Sequence, residues 1–324
     1  MIHNWAAPVE IIASGLSFPE GPIALADGSV LVVEIEGQTL ARITKDGAID
    51  RLATLQGGPN GAALGPDGYV YIANSGGWLF CDEVASDGRT FRRTRGQSAQ
   101  NGWIERVDPI GGGADRIYVN CNGVPLNAPN DLVFDAHGYF YFTDHGKRRA
   151  SELTLGAVYR AAPDGNRIVR IVDGLITPNG IGLSPDGSTL YVAETLPRRL
   201  WAFDLDGPET IRRHNWPSTN GGRLLASLPD YNGLDSLAVD ADGWIHVASL
   251  VNGGFWSVAP DGSNRSHFDI DDPYTTNVCF GGPDLKQLFV TMSGSGCLGR
   301  IARPVAGLPL HFANADRTGH FRKG

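Results

Sequence analysis

Six oxygen-bearing side chains recur in one context along this chain: Glu20, Asn60, Asn130, Asn179, Asp235 and Asn277. Each opens a short apolar run, and seven residues later come Asp27, Asp67, His137, Asp186, Asp242 and Asp284. One residue further come Gly28, Gly68, Gly138, Gly187 and Gly243, with Leu285 in the sixth copy. Two carboxylates and four carboxamides offer hard oxygen donors, which suit Ca2+, Mg2+ or Mn2+ when they converge. No His or Cys occupies an anchor, which argues against a zinc-preferring site. A single Asn or Asp at a strand start can equally cap a turn through its own backbone. Glu20 and Asp235 together with Asn130 and Asn179 favour a shared cation over four separate caps.

The elements that must carry these anchors follow from the repeat. After each anchor an apolar run leads to the Asp-Gly pair, a turn that supplies the φ > 0 a hairpin needs. A second strand follows at 30–33, 69–73, 139–143, 189–193, 244–248 and 287–291, rich in β-branched and aromatic residues. Third strands follow at 39–44, 157–161, 200–204 and 255–258, and a fourth ends the unit, as at 168–172. Four antiparallel strands in roughly 40–50 residues describe a propeller blade. The sequence therefore predicts an all-β, six-bladed β-propeller in one domain, 1–324. The run 9–13 has no blade of its own and is expected to close the last blade as its outer strand. The tail, 304–324, is expected to cap that blade. In this geometry the anchors ring one mouth of the central channel. The loops between second and third strands share that mouth, and the Asp-Gly turns lie opposite.

Composition agrees with this and excludes other classes. The chain has 324 residues, 42% of them hydrophobic and 19% charged, which allows a large core. Its 43 glycines and 20 prolines fit a turn-rich all-β chain. A formal net charge of −8 repels phosphate backbones and anionic lipid, so nucleic acid and membrane are not expected as partners. No apolar run approaches the ~18–20 residues of a membrane span, and the first residues lack a signal-peptide pattern. The four cysteines, Cys81, Cys121, Cys279 and Cys297, have no CxxC spacing and read as reduced thiols. A Cys81–Cys121 bridge is the alternative. The cytoplasm is the expected compartment.

The segments FPEGP at 18–22, PND at 129–131, PNG at 178–180 and LDSLAVDADG at 234–243 resemble the SMP-30/gluconolactonase (regucalcin-like) family. The resemblance runs from about residue 9 to about residue 303. It implies a six-bladed propeller with one divalent cation in its channel, calcium first, with Mn2+, Mg2+ or Zn2+ as alternatives. It implies Glu20, Asn179 and Asp235 as ligands, with Asn130 a further ligand or a substrate contact. The activity implied is hydrolysis of a sugar-acid or related small lactone. Sugar-lactone members carry an arginine two residues before the matched asparagine. Here Ala128 stands there, which argues against an aldonolactone but not against lactone opening.

Lactone hydrolysis needs a polarised carbonyl, which a cation supplies, and an activated water, whose proton Asp235 can accept. The alternative makes Asp235 a direct nucleophile. His145, in the loop after a second strand, is the second catalytic candidate, as donor to the leaving alkoxide; a solvent-exposed loop histidine is the plainer reading. Asn60 and Asn277, with Asn130, are candidates for binding substrate, or turn caps. Asp144 reads as a turn cap or outer support, Asp131 as a backbone brace, and Glu194 as an ion-pair partner. The segment 75–102 is the main irregular insert and holds Trp78, Phe80, Phe91, Arg89, Arg92, Arg93 and Arg95. As a lid, its arginines would favour an anionic lactone; the alternative is a homo-oligomer contact or a loose loop. Two other functions stay open on the residues: a phosphotriester or fluorophosphate hydrolase, and a non-enzymatic calcium-binding or interaction propeller. A strictosidine-synthase-like propeller is disfavoured by Glu20 and Asp235.

Overall fold

The computed structural model describes residues 8–149 and 151–313. Within them the chain forms six four-stranded antiparallel sheets and two short hairpins, with no helix. The sheets follow one another as blades. From the channel outward, blade 1 is Pro19–Ala24, Val30–Glu34, Thr39–Ile43 and Ile49–Thr54. Blade 2 is Pro59–Leu64, Val70–Asn74, Trp103–Val107 and Ala114–Tyr118. Blade 3 is Pro129–Phe134, Phe140–Asp144, Gly156–Ala161 and Ile168–Leu175. Blade 4 is Pro178–Leu183, Thr189–Glu194, Arg199–Asp204 and Arg223–Ser227. Blade 5 is Asn232–Val239, Ile245–Val251, Phe255–Val258 and Arg265–Phe268. Blade 6 is Thr275–Gly281, Gln287–Met292 and Cys297–Ala302, completed by Glu10–Ser14. The innermost strands touch in sequence, and that of blade 6 touches that of blade 1, so the ring closes. The N-terminal strand closes the last blade as the sequence predicts, and joins both ends of the ring in one sheet.

The Asp-Gly turns explain why each blade folds locally. Gly28, Gly68, Gly138, Gly187 and Gly243 take φ between +69° and +84°, a region open to glycine at little cost. Leu285 in the sixth copy adopts φ +56° without that freedom. Asp27, Asp67, Asp186 and Asp284 each accept a hydrogen bond from the amide two residues on, at 2.9, 3.2, 3.0 and 3.1 Å. In blade 3, where His137 stands in that place, Asp135 accepts the His137 and Tyr139 amides instead.

Apolar faces stack blade on blade. Tyr71 and Ile104 of blade 2, for example, pack with Leu132, Phe134, Phe140 and Phe142 of blade 3. Each side chain so buried contributes about 1.5–3 kcal/mol. Cys121 belongs to this cluster, and all four cysteines are free thiols, so the alternative Cys81–Cys121 bridge does not form.

Two expectations change. The insert is not irregular: Trp78–Val84 and Thr90–Gln97 pair as an antiparallel hairpin between the second and third strands of blade 2. The tail does not cap the sixth blade alone: the Gly307 amide donates to the Leu285 carbonyl of blade 6 at 2.8 Å, but other tail residues reach further blades. Ala306 and Leu308 hydrogen-bond blade 5 at Ala241 and Val239, and Phe312 packs against Phe134 of blade 3. Leu308, Leu310 and Phe312 are apolar side chains, and the apolar far end of the channel, not the blade 6 edge, offers them cover. That end is a cavity of about 1050 Å³ whose walls include Ile23, Leu64, Leu132, Ile181, Leu237 and Val278. The remainder of the tail, 314–324, lies outside the described residues. Among the described residues no helix is long and apolar enough to cross a membrane.

Candidate active site

Every innermost strand carries a register irregularity at its anchor: between Glu20 and Ile23, Pro59 and Ala62, Pro129 and Leu132, Pro178 and Ile181, Leu234 and Leu237, and Thr275 and Asn277. A bulge breaks the ladder and re-aims a side chain. Glycine after the anchor lets neighbouring bulges nest. A Cβ on Gly61 would lie 2.5 Å from the Asp131 Cα, and one on Gly180 would lie 2.6 Å from the Asp235 carbonyl oxygen.

All six anchor side chains are buried. Glu20 Oε1, Asn60 Oδ1, Asn130 Oδ1 and Asn179 Oδ1 find no hydrogen-bond donor among the described residues. Buried acceptors without partners are rare, each costing about 1–3 kcal/mol. The carboxylates fare no better. Burial raises the proton affinity of Glu20, and the Asp131 charge adds to it, against hydrogen bonds from Asn277 and Gly21. Asp235 is raised by burial first and by the Glu20 charge second, with Asn179 opposing. Burial also pushes Asp131 up to about 7. Burial and mutual charge thus favour the protonated form of carboxyls carried by three separate blades.

Other expected residues fall into place around this ring. Asn277 Nδ2 donates to Glu20 Oε2 at 2.7 Å, and its Oδ1 accepts the Val278 amide at 2.7 Å. Its side chain is therefore turned onto Glu20 and its own strand; the sequence leaves substrate contact and turn cap open. Asp131 braces backbone as expected: its carboxylate accepts the Leu132 amide at 2.8 Å and, across the blade boundary, the Ile181 amide at 3.3 Å. His145 is not the exposed loop residue of the plainer reading. It is buried beside the Trp78 ring, with Nδ1 3.5 Å from Gln97 Nε2. Burial holds it down to about 4, so its ring is neutral at neutral pH. Asp144 accepts the Asn127, Ala128 and Gly146 amides at 2.7, 2.8 and 3.0 Å. Glu194 pairs with Arg199 at 2.8 Å, as expected, and also accepts the Ile176 amide at 2.6 Å.

These last two belong to a set the sequence reading missed. Glu34 accepts the Ser17 amide at 2.8 Å, and Asn74 accepts the Gly58 amide at 2.9 Å. In blades 1 to 4 the residue ending the second strand thus holds the chain two or three residues before the anchor. The signal was present: Glu34, Asn74 and Asp144 follow their anchors by fourteen residues and Glu194 by fifteen.

The hairpin lies across the same mouth. Phe80 packs edge-on to Phe18 of blade 1 at 5.1 Å, and Arg92 pairs with Glu36. The Arg92 amide donates to the Gly294 carbonyl of blade 6 at 2.8 Å, and Arg89 grips Asp271 at 2.7 and 2.8 Å. On the blade 3 side Gln97 bonds the Gly146 carbonyl and receives the Arg148 amide. Tyr274, also unremarked in the sequence, sits under Phe91 at 6.1 Å and feels the Asp235 charge. Among the described residues no cluster of three or more His, Cys, Asp or Glu side chains is placed to hold a metal. The ring mixes two carboxylates with amide oxygens instead.

Residues 18–294 match the family described as SMP-30/Gluconolactonase/LRE-like region. The gluconolactonase of Zymomonas mobilis is 28% identical, over 90% of this chain and 81% of that one. The lactonase drp35 of Staphylococcus saprophyticus is 36% identical over 53% of this chain and 50% of that one. The solved structure of a gluconolactonase from Xanthomonas campestris superposes with a TM-score of 0.71 at 26% identity, covering 92% of this chain and 90% of that one.

Proposed function

The chain belongs to the SMP-30/gluconolactonase/LRE-like family, and from that premise we propose that it is a divalent-cation-dependent hydrolase that opens the ring of a small lactone. Relatives named gluconolactonase and lactonase support the reaction class. The observation that carries the cation is the set of four buried acceptor oxygens without donors beside two carboxylates that repel each other. Such a set fits a hard cation held by oxygen, calcium before manganese, magnesium or zinc. Glu20, Asn130, Asn179 and Asp235 would hold it. When bound, it would supply Lewis-acid polarisation of the lactone carbonyl, worth several kcal/mol in the transition state.

The chain's own residues supply the rest. Asp235, turned into the ring on its bulge, takes the proton of the attacking water. Asn277 fixes the Glu20 carboxylate through its 2.7 Å hydrogen bond. The Asn60 Oδ1 faces the substrate as an acceptor. His145, neutral and buried, holds its imidazole beside the mouth as a hydrogen-bonding group, not as a charged acid. The hairpin shields the reacting centre from bulk water.

A pH-indicator screen over alkyl, hydroxylated and acidic lactones, with EDTA-treated protein and with each cation restored, tests this. Turnover of at least one lactone, lost with EDTA and regained with cation, is expected. Equal turnover before and after EDTA would refute the cation; no turnover of any lactone would refute the reaction.

A further inference from the structure

The geometry points to the inserted hairpin as a fixed roof that selects lactones bearing an uncharged, apolar substituent, which lies beneath it and leaves the site toward blades 4 and 5. This rests on the lactonase reading above. The hairpin spans the mouth from blade 3 through blade 2 to blades 1 and 6, with anchoring contacts on each. Among the described residues no hydrogen bond, ion pair or ring contact of the hairpin reaches a strand of blade 4 or blade 5.

Three of the roof's four arginines are paired with carboxylates. Arg89 holds Asp87 and Asp271, Arg92 holds Glu36 and Asp82, and Arg93 holds Glu83 at 2.6 Å. Arg95 is exposed and makes no ion pair among the described residues. The expectation that these arginines recruit an anionic substrate therefore rests on Arg95 alone: a guanidinium in a bidentate carboxylate pair has few donors to offer. On the open rim the Arg198 guanidinium is turned onto the Asp230 carbonyl.

What remains beneath the roof is aromatic. Phe18 meets Phe80 and Tyr274 at 5.1 and 5.7 Å, and Phe91 covers Tyr274. The open rim continues this surface with Leu196, Tyr231 and Val251, which are 44%, 74% and 57% exposed. All three sit at the anchor mouth. Leu196 follows Thr195, which bonds Asn179; Tyr231 precedes the inner strand of blade 5; the Val251 amide bonds Pro273. Val251 holds φ +75°, an outlier for a β-branched residue of the kind that clusters at functional sites. The Trp78 indole N–H is buried without a partner among the described residues. It offers one donor to an uncharged oxygen, but several hydroxyls would go unpaired against these rings.

The test compares kcat/KM for one lactone ring in four forms: unsubstituted, alkyl-substituted, polyhydroxylated and carboxylated. It uses the cation-loaded wild type, a chain with residues 78–97 replaced by a short Gly-Ser link, and the single variants Phe80→Ser and Tyr231→Ser. Wild type is expected to favour the alkyl form over the hydroxylated and carboxylated forms by about tenfold or more. The ratio is expected to fall to within about threefold in the shortened chain and to drop in both single variants. The single variants carry the test if the shortened chain does not fold. A wild type that favours the hydroxylated or carboxylated form overturns the inference, as does a preference that persists in every folded variant. Hydrolysis of the unsubstituted ring with no substituent preference sinks this inference and leaves the lactonase reading intact. No hydrolysis of any form sinks both.

Discussion

At the scale of single residues, the ring is costly as protein alone. Glu20 and Asp235 are both buried, and the Glu20 charge raises the proton affinity of Asp235. Removing one charge relieves repulsion, so Glu20→Gln in EDTA is expected to melt no lower than wild type. Adding cation at 100 times its dissociation constant is expected to stabilise wild type by about 2.7 kcal/mol and the variant not at all. A variant stabilised as much as wild type would remove Glu20 from the site. His145 makes a separate case. Its folded value of about 4 lies below the ~6.5 of an unfolded histidine, so the unfolded chain takes up the proton first. The stability this residue contributes is full above about pH 6.5 and is lost as pH falls toward 4; at pH 5 the loss is about 2 kcal/mol. The urea-unfolding advantage of wild type over His145→Gln is therefore expected to shrink by about that amount from pH 7 to 5. The raised carboxylates of the ring cancel in this difference. A constant or growing advantage would contradict a buried neutral histidine.

At the scale of elements, bulge, glycine and brace act together. Gly180 has no room for a side chain, because its Cβ would meet the Asp235 and Leu237 backbone at 2.6 and 2.8 Å. Gly180→Ala is expected to cost about 1–3 kcal/mol and to displace Asp235, so melting temperature and activity fall together; a fall in neither would mean the blades nest more loosely. Asp144→Ala strands three amides before and after the anchor loop and is expected to destabilise by on the order of 3 kcal/mol in urea unfolding. Much of this was legible in the chain. The Asp-Gly offset marked the first hairpin of four blades, with His137-Gly138 and Asp284-Leu285 at the same offset in the other two, because only a few residue pairs satisfy the turn. The braces were legible only in retrospect, since a Glu, Asn or Asp at a strand end has no distinct local signature. The hairpin was harder. Its strands, Trp78–Val84 and Thr90–Gln97, carry polar residues on both faces, so no alternation announces them. The partners that match its arginines come from far away in sequence, Asp271 lying 182 residues from Arg89. Charge composition alone therefore did not reveal which of its arginines are paired, and Asn277, read as a substrate contact or a turn cap, is held by Glu20, 257 residues away.

At the scale of the whole molecule, ring closure decides whether there is a site at all. The anchors lie on six strands spread from residue 19 to residue 281, and only the closed ring brings Glu20 of blade 1 against Asn277 of blade 6. Glu10–Ser14 completes that closure on Cys297–Ala302. A chain beginning at residue 15 leaves this edge unpaired and is expected to melt roughly 10 °C lower or more, or to aggregate; unchanged melting would show that the sixth blade closes without its outer strand. On the proposed reading, the same closure directs carboxylate and amide oxygens from four blades at one point on the channel axis. Calorimetric titration of Ca2+, repeated with Mn2+ and Mg2+, into EDTA-stripped protein tests that convergence most directly. One ion bound per chain in the wild type, with binding abolished in Glu20→Gln and Asp235→Asn, is the expected result. Absence of binding by any of the three ions, or binding that persists unchanged in both variants, would contradict it.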